Sequence, residues 1–174
     1  MKIYARLIIL ITFLILFITI AGCVKRKNME IEFSIGFKDL NASYPGEQDL
    51  KCLIKTFDEW SSLRSQRPYY PDTLDEKYNR QYFKSKSLIV YSFIRGTGRG
   101  STEIIGITKK GSKLQIDVEV SSGYLDAMTR GIIIIEVNKS DVLNISELQI
   151  IENFIEKGNV YSIYYNLLFR VYKK

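Results

Sequence analysis

Apolar and polar positions along the chain follow two rhythms. "MEIEFSIGF", residues 29–37, interleaves Ile31, Phe33, Ile35 and Phe37 with Glu30, Glu32, Ser34 and Gly36, which is the period-two signature of a half-buried strand. "SLIVYSFI", 87–94, reads as a strand, and "EIIGITKKGSKLQIDVEVSS", 103–122, reads as two strands around a Lys110-Gly111-Ser112-Lys113 turn. In the second of these, Leu114, Ile116, Val118 and Val120 alternate with Gln115, Asp117 and Glu119. The unbroken run Ile132 to Ile135 in "GIIIIEVNKSD" suits a central strand covered on both faces.

Elsewhere local chemistry decides. In "DLKCLIKTFDEWSSLRS", 49–65, the apolar positions fit a helix and a strand equally. Thr56 and Glu59 form a capping-box pair, which predicts a strand over Leu50 to Lys55 and a helix from Phe57 to about Ser65. Before it, "NASYPGEQD", 41–49, is a turn-rich connection. After it, Thr73 and Glu76 offer a second box, and with it a short helix near 74–83. The tail divides at Gly158-Asn159: its last part is aromatic and β-branched and predicts a strand, while residues 146–157 fit a helix capped by Ser146 and Gln149 or a strand, giving helix plus strand or a hairpin.

The chain opens with Lys2 and Arg6, then an apolar run at 7–21, then Ala21-Gly22-Cys23 and the basic Lys25, Arg26 and Lys27. A run of about 15 residues spans roughly 22 Å as a helix, against about 30 Å of hydrocarbon. Charged start, short apolar stretch and small-residue exit match a secretory signal. "IAGC", residues 20–23, resembles the lipobox of bacterial lipoproteins, which implies cleavage before Cys23 and a diacylglycerol on its thiol. An uncleaved anchor helix is the alternative, favoured by basic residues on both flanks.

The expected organisation is a signal peptide at 1–22, a lipid-anchored basic tether at 23–29 and a single domain at 30–174. The formal charge of +6 then changes meaning. Two of the 25 basic residues leave with the leader and three lie in the tether, so the body has 20 against 19 acids, a net +1. Basicity next to the lipid suits anionic headgroups at about 1 kcal/mol per charge; nucleic acid is not implied. Cys52 is the only thiol beyond Cys23, which leaves no intramolecular disulfide in the body and predicts a small buried hydrophobe. The absence of histidine removes every His-dependent triad and the His-based zinc motifs.

Gly96, Gly98 and Gly100, with Arg95 and Arg99, suggest phosphate binding, but such a loop must open a helix, and a strand follows here. The expectation is a flexible loop between strands with its arginines in water, and Thr97, Gly98, Arg99 and Gly100 are its candidates for contact with a partner protein. Asp117 and Glu119 share one strand face, read as the solvated one. Asp58-Glu59 and Asp75-Glu76 complement helix dipoles. Nucleophile, base and metal ligands form no recognisable set, so no catalytic residue, metal or cofactor is expected.

"YFKSKSLIVYSFIRGTGRGSTEIIGITKKGSKLQIDVEVSSGYLDAMTRGIIIIEVNKSD", 82–141, resembles the PrcB-like C-terminal domain and related lipoproteins, and "IKTFDEW", 54–60, is similar to the strand and helix that often precede it. The resemblance implies a small β-rich domain and, from the name-giving member, a lipoprotein supporting a surface protease complex. Thr97, Gly98 and Gly100 match its Thr-Gly-Gly-like turn, with Arg99 between the glycines. The reading is therefore an α+β fold, mainly antiparallel sheet with one or two short helices packed on it. The expected function is a noncatalytic accessory or protein-binding lipoprotein on the outer side of the bacterial cytoplasmic membrane, presenting loops 95–102 and 121–131 to an exported protein such as a protease. The alternative is a lipoprotein that binds a small molecule or envelope polymer through Tyr69, Tyr70, Tyr78 and Tyr82.

Overall fold

Residues 28–40, 50–95, 100–121, 129–156 and 159–168 are described by the computed structural model. The alternating stretch at its start is shared between two sheets. Met29–Glu30 (β1) pairs with Thr102–Lys110 (β5), Ile31 donates its amide to the Ile107 carbonyl at 2.9 Å, and the chain then crosses to pair Phe33–Asp39 (β2) with Thr129–Asn138 (β7). The simple period-two reading fails at Ile35, which is 43 % exposed. The register shifts between Ile35 and Phe37, and a bulge of this kind turns neighbouring side chains out of phase.

The remaining strands are Lys51–Ile54 (β3), Lys86–Arg95 (β4), Lys113–Ser121 (β6), Glu147–Glu156 (β8) and Asn159–Leu168 (β9). One sheet has the order β2-β7-β4-β3 and the other β1-β5-β6-β8-β9. All pairings are antiparallel except β6 with β8, because β7 returns through the opposite sheet before β8 resumes beside β6. The tail is thus a hairpin, β8 and β9, and its first half is strand with no helix. The β5–β6 turn passes through Gly111 at φ 67°, the left-handed region open to glycine.

The fold is α+β and mainly antiparallel, as the pattern predicts. The two sheets bury one core between them, with Ile89, Tyr91, Ile133 and Ile135 facing Leu114, Ile116, Val118, Leu148 and Ile150. The opposite face of the four-stranded sheet, carrying Leu88, Val90, Ile132 and Ile134, is covered by Phe57–Gln66 (α1), Thr73–Lys77 (α2) and the 3-10 turn Tyr82–Lys84, which contribute Trp60, Leu63, Leu74, Tyr78 and Phe83. Among the described residues, the two helices and the 3-10 turn that pack on a sheet face do so on this sheet. A last short helix, Lys139–Val142 (α3), links β7 to β8, and Lys55 on the preceding layer donates to the Leu143 and Ile145 carbonyls beyond it.

The capping box at α1 is formed: Thr56 Oγ1 accepts from the Glu59 amide at 3.2 Å, and Glu59 Oε2 accepts from the Thr56 amide at 3.2 Å. The second box is not. Asp72, itself in αR conformation, holds the N-cap position of α2 without a side-chain cap bond, and the helix ends at Lys77 instead of running to 83. Its anchorage comes from Arg64, whose guanidinium grips both Asp75 oxygens at 2.7 Å and reaches the Arg67 and Tyr70 carbonyls. This bidentate contact holds the Asp75 carboxyl below its ordinary range and raises the Arg64 guanidinium. Cys52 packs partly buried against the helix-side core, and desolvation pushes its thiol up to about 12.

Candidate functional site

Strand direction sorts the connections into two poles. Met29, the first strand residue of the described chain, lies opposite Lys109 beside the β5–β6 turn, at the near pole. The strand ends on either side of residues 96–99, 122–128 and 157–158 all lie at the far pole, since β4, β6 and β8 run towards it and β5, β7 and β9 run away from it. β2 ends there and β3 starts there, which brings in the ends flanking 41–49. A ten-residue strand measures about 33 Å, so the poles stand roughly that far apart.

Of the residues expected to meet a partner, Thr97, Gly98 and Arg99 lie outside the described residues, as do Cys23, Lys25, Arg26 and Lys27. Gly100 is described and half-buried, just before β5. The base of its loop is laced to the base of the next one. The Ser101 amide donates to Ser121 Oγ at 2.9 Å, the two hydroxyls are 2.9 Å apart, and the Ser121 amide donates to the Ser101 carbonyl at 3.0 Å. Two of the far-pole connections therefore spring from one fixed point.

Midway between the poles the inter-sheet core contains a carboxylate. Glu152 follows the inward phase of β8 with Leu148, Ile150 and Phe154 and is 2 % exposed, and the buried Tyr91 hydroxyl donates to its Oε1 at 2.6 Å. Burying a carboxylate costs several kcal/mol unless partners replace its water, and the Tyr91 hydroxyl is one such partner, reaching across from the other sheet. Beside it, at the open side of the sandwich where β3 faces β9, Lys51 Nζ stands 4.1 Å from the centre of the Tyr165 ring and 5.7 Å from that of Tyr91. The sequence does carry a signal for Glu152, a charge on an apolar phase, but only once β8 is known to be a strand.

The far-pole half of β9 presents apolar surface. Val160 is 64 % exposed, Tyr161 48 %, Ile163 42 % and Tyr164 61 %, and Tyr161 stacks on Phe154 with ring centres 5.1 Å apart. This patch adjoins the ends that carry the loops. The aromaticity of the tail is visible in the sequence, but which rings stay outside follows only from the sheet order.

The four tyrosines considered for ligand binding are packed in the helix-side layer. Tyr70 and Tyr78 are buried, Tyr69 meets Tyr70 edge to face, and Tyr78 meets Tyr82 and Trp60 in the same way. Tyr78 donates to Glu136 Oε1 at 3.1 Å, and Lys77 Nζ reaches the same oxygen at 2.7 Å. Burial and the Glu136 carboxylate raise both the Tyr78 and the Tyr82 hydroxyl above their ordinary range. A side chain at Gly36 would collide with Tyr78 and Glu136, which accounts for glycine at the β2 bulge.

Asp117 lies on the outer face of β6, as expected, and accepts from Gln115 Nε2 at 2.9 Å. Among the described residues no group of three or more His, Cys, Asp or Glu is placed to hold a metal ion, and no helix is long and apolar enough to cross a membrane. Comparison with family models, curated proteins and solved structures gives no match for this chain.

Proposed function

We propose that this protein is a noncatalytic accessory or protein-binding lipoprotein of the bacterial cell envelope, held on the outer side of the cytoplasmic membrane through Cys23 with help from Lys25, Arg26 and Lys27. The observation that carries the reading is the separation of poles. The tether joins the body at one end, and the connections around 96–99 and 122–128 spring from the other, their bases fixed by Ser101 and Ser121. Loops on a rigid two-sheet frame are a recurrent way to present a binding surface.

The partner class is another exported protein, of the kind the PrcB-like resemblance suggests: a surface protease that the lipoprotein supports. The near-neutral body fits this reading, since most of the net positive charge belongs to the leader and tether.

The experiment is affinity isolation of the native protein from detergent-solubilised membranes, alongside a variant in which Thr97, Gly98, Arg99 and Gly100 are replaced by a Ser-Gly linker of equal length. A stoichiometric protein partner with the native form, lost with the variant, supports the proposal. Isolation of the native form alone, carrying a bound small molecule, refutes it in favour of the ligand-binding alternative.

A further inference from the structure

Each sheet has two edges, and three of the four are blunted. β1 has two residues, β3 has four and carries Lys51, and β2 is interrupted by its bulge and carries the exposed Lys38. Short length, bulges and lysine are the devices by which sheet edges avoid pairing with another chain. β9 has none of them. Its ten residues, "NVYSIYYNLL", carry no charge and stay in unbroken register with β8 along their whole length. Among the described residues no strand pairs with the outer side of β9, which presents a long, regular row of backbone donors and acceptors flanked by exposed Val160, Tyr161, Ile163 and Tyr164.

The sequence of the strand also says what fits there. About Tyr164 it is symmetric in polarity: Ile163 and Tyr165 are apolar, Ser162 and Asn166 polar, Tyr161 and Leu167 apolar again. We propose that β9 pairs with β9 of a second copy of this chain, antiparallel about a two-fold axis at Tyr164, joining two five-stranded sheets into one of ten strands.

In that register Ser162 stands opposite Asn166 of the second copy, Ile163 opposite Tyr165 and Tyr161 opposite Leu167, while Tyr164 meets its own symmetry mate. Opposed residues sum to an even number, so side chains opposite each other share a face and the inner face of one sheet continues into that of the other. The polar pairs complete a row already present. Ser162 Oγ donates to Asn153 Oδ1 at 2.6 Å and Gln149 Nε2 donates to Asn166 Oδ1 at 2.8 Å, so Ser162 against Asn166 extends a line of hydrogen-bonding side chains across the axis. No like charges oppose one another anywhere in the seam. An isologous contact of this kind closes on itself as a dimer.

The axis is perpendicular to the sheet, so it puts the near poles of the two copies at opposite ends of the dimer. Tethers of about six residues reach roughly 20 Å. Resting on the lipid-anchor reading of the proposed function, two such copies share one membrane with their strands lying along its surface and their far poles facing sideways.

The test uses the full chain in its membrane. Tyr164→Cys in a Cys52→Ala background, oxidised in isolated membranes, is expected to give a disulfide-linked dimer, while Lys38→Cys on the β2 edge in the same background stays monomeric. In detergent, Tyr164→Lys brings two ammonium groups together across the axis and is expected to weaken the dimer by about tenfold or more, by like-charge opposition in a cross-strand pair. Its thermal midpoint reports whether the exposed substitution leaves the fold intact. A native chain that sediments as a monomer up to about 100 µM, equal cross-linking at positions 164 and 38, or a Tyr164→Lys dimer as tight as the native one would each overturn the proposal.

Discussion

Along β7 the four residues Ile132 to Ile135 are all buried, whereas along β8 burial changes at every step: Leu148, Ile150 and Phe154 lie inside, and Gln149, Ile151 and Asn153 are half-buried. The strands are equally long and both are interior to their sheets. The difference is the number of faces covered by described residues. β7 has the second sheet on one side and the helical layer on the other, and among the described residues β8 has a packed core on one side only. The alternation of β8 is what a strand with one packed face requires, and the isoleucine run of β7 is what a strand with two requires.

The largest way to break this contrast is to strip the helical cover. Trp60 is 1 % exposed and meets Tyr78 edge to face at 5.2 Å, so Trp60→Ala is expected to cost about 3–5 kcal/mol in chemical denaturation. A loss below about 1 kcal/mol would mean that the helices are an accessory to the sheet and not part of its core. Next is the tie between the two sheets. Tyr91→Phe keeps the ring and removes the donor to Glu152, with an expected loss of about 1.5–3 kcal/mol, and a neutral result would show that Glu152 is satisfied without it. Thr56→Ala removes the α1 cap and is expected to cost about 1 kcal/mol by the same measurement, leaving the sheets untouched.

The smallest effect is with pH. The folded state holds the Asp75 carboxyl below its ordinary value, so the contribution of its contact with Arg64 is complete above the unfolded value, near 3.9, and disappears as pH falls through the lower folded value. Asp75 is about half exposed, and solvent screens the pair. The stability gap between the native protein and Asp75→Asn is therefore expected to be small, constant from about pH 7 to 5, and to close only below about pH 4. A gap that closes near neutral pH would point to a different group.

Much of the fold was legible where neighbouring residues alone decide it. Thr56 with Glu59 marks a helix start through side chains three positions apart, and the isoleucine run of β7 marks double burial without any partner being known. The failures occur where distant contacts decide. Thr73 and Glu76 have box spacing, yet Arg64 binds Asp75 from another helix and Asp72 takes the cap position. Residues 146–157 carry both periodicities, and only pairing with β6 and β9 selects the strand. The shift of the chain between sheets at Ile31 leaves no local mark, because the alternation continues through it.

The site divides in the same way. The candidate loop was visible as glycines between strand patterns, but the convergence of loop bases at one pole, the Tyr91–Glu152 contact over 61 positions and the edge position of β9 among the described strands all depend on sheet order.

Mass spectrometry of the mature N-terminus, on protein isolated from its own membranes, tests the proposed anchoring most directly. The account predicts a chain that begins at Cys23 with a diacylglycerol on the sulfur. A leader still joined through Ala21 and Gly22, or an unmodified Cys23, would contradict it.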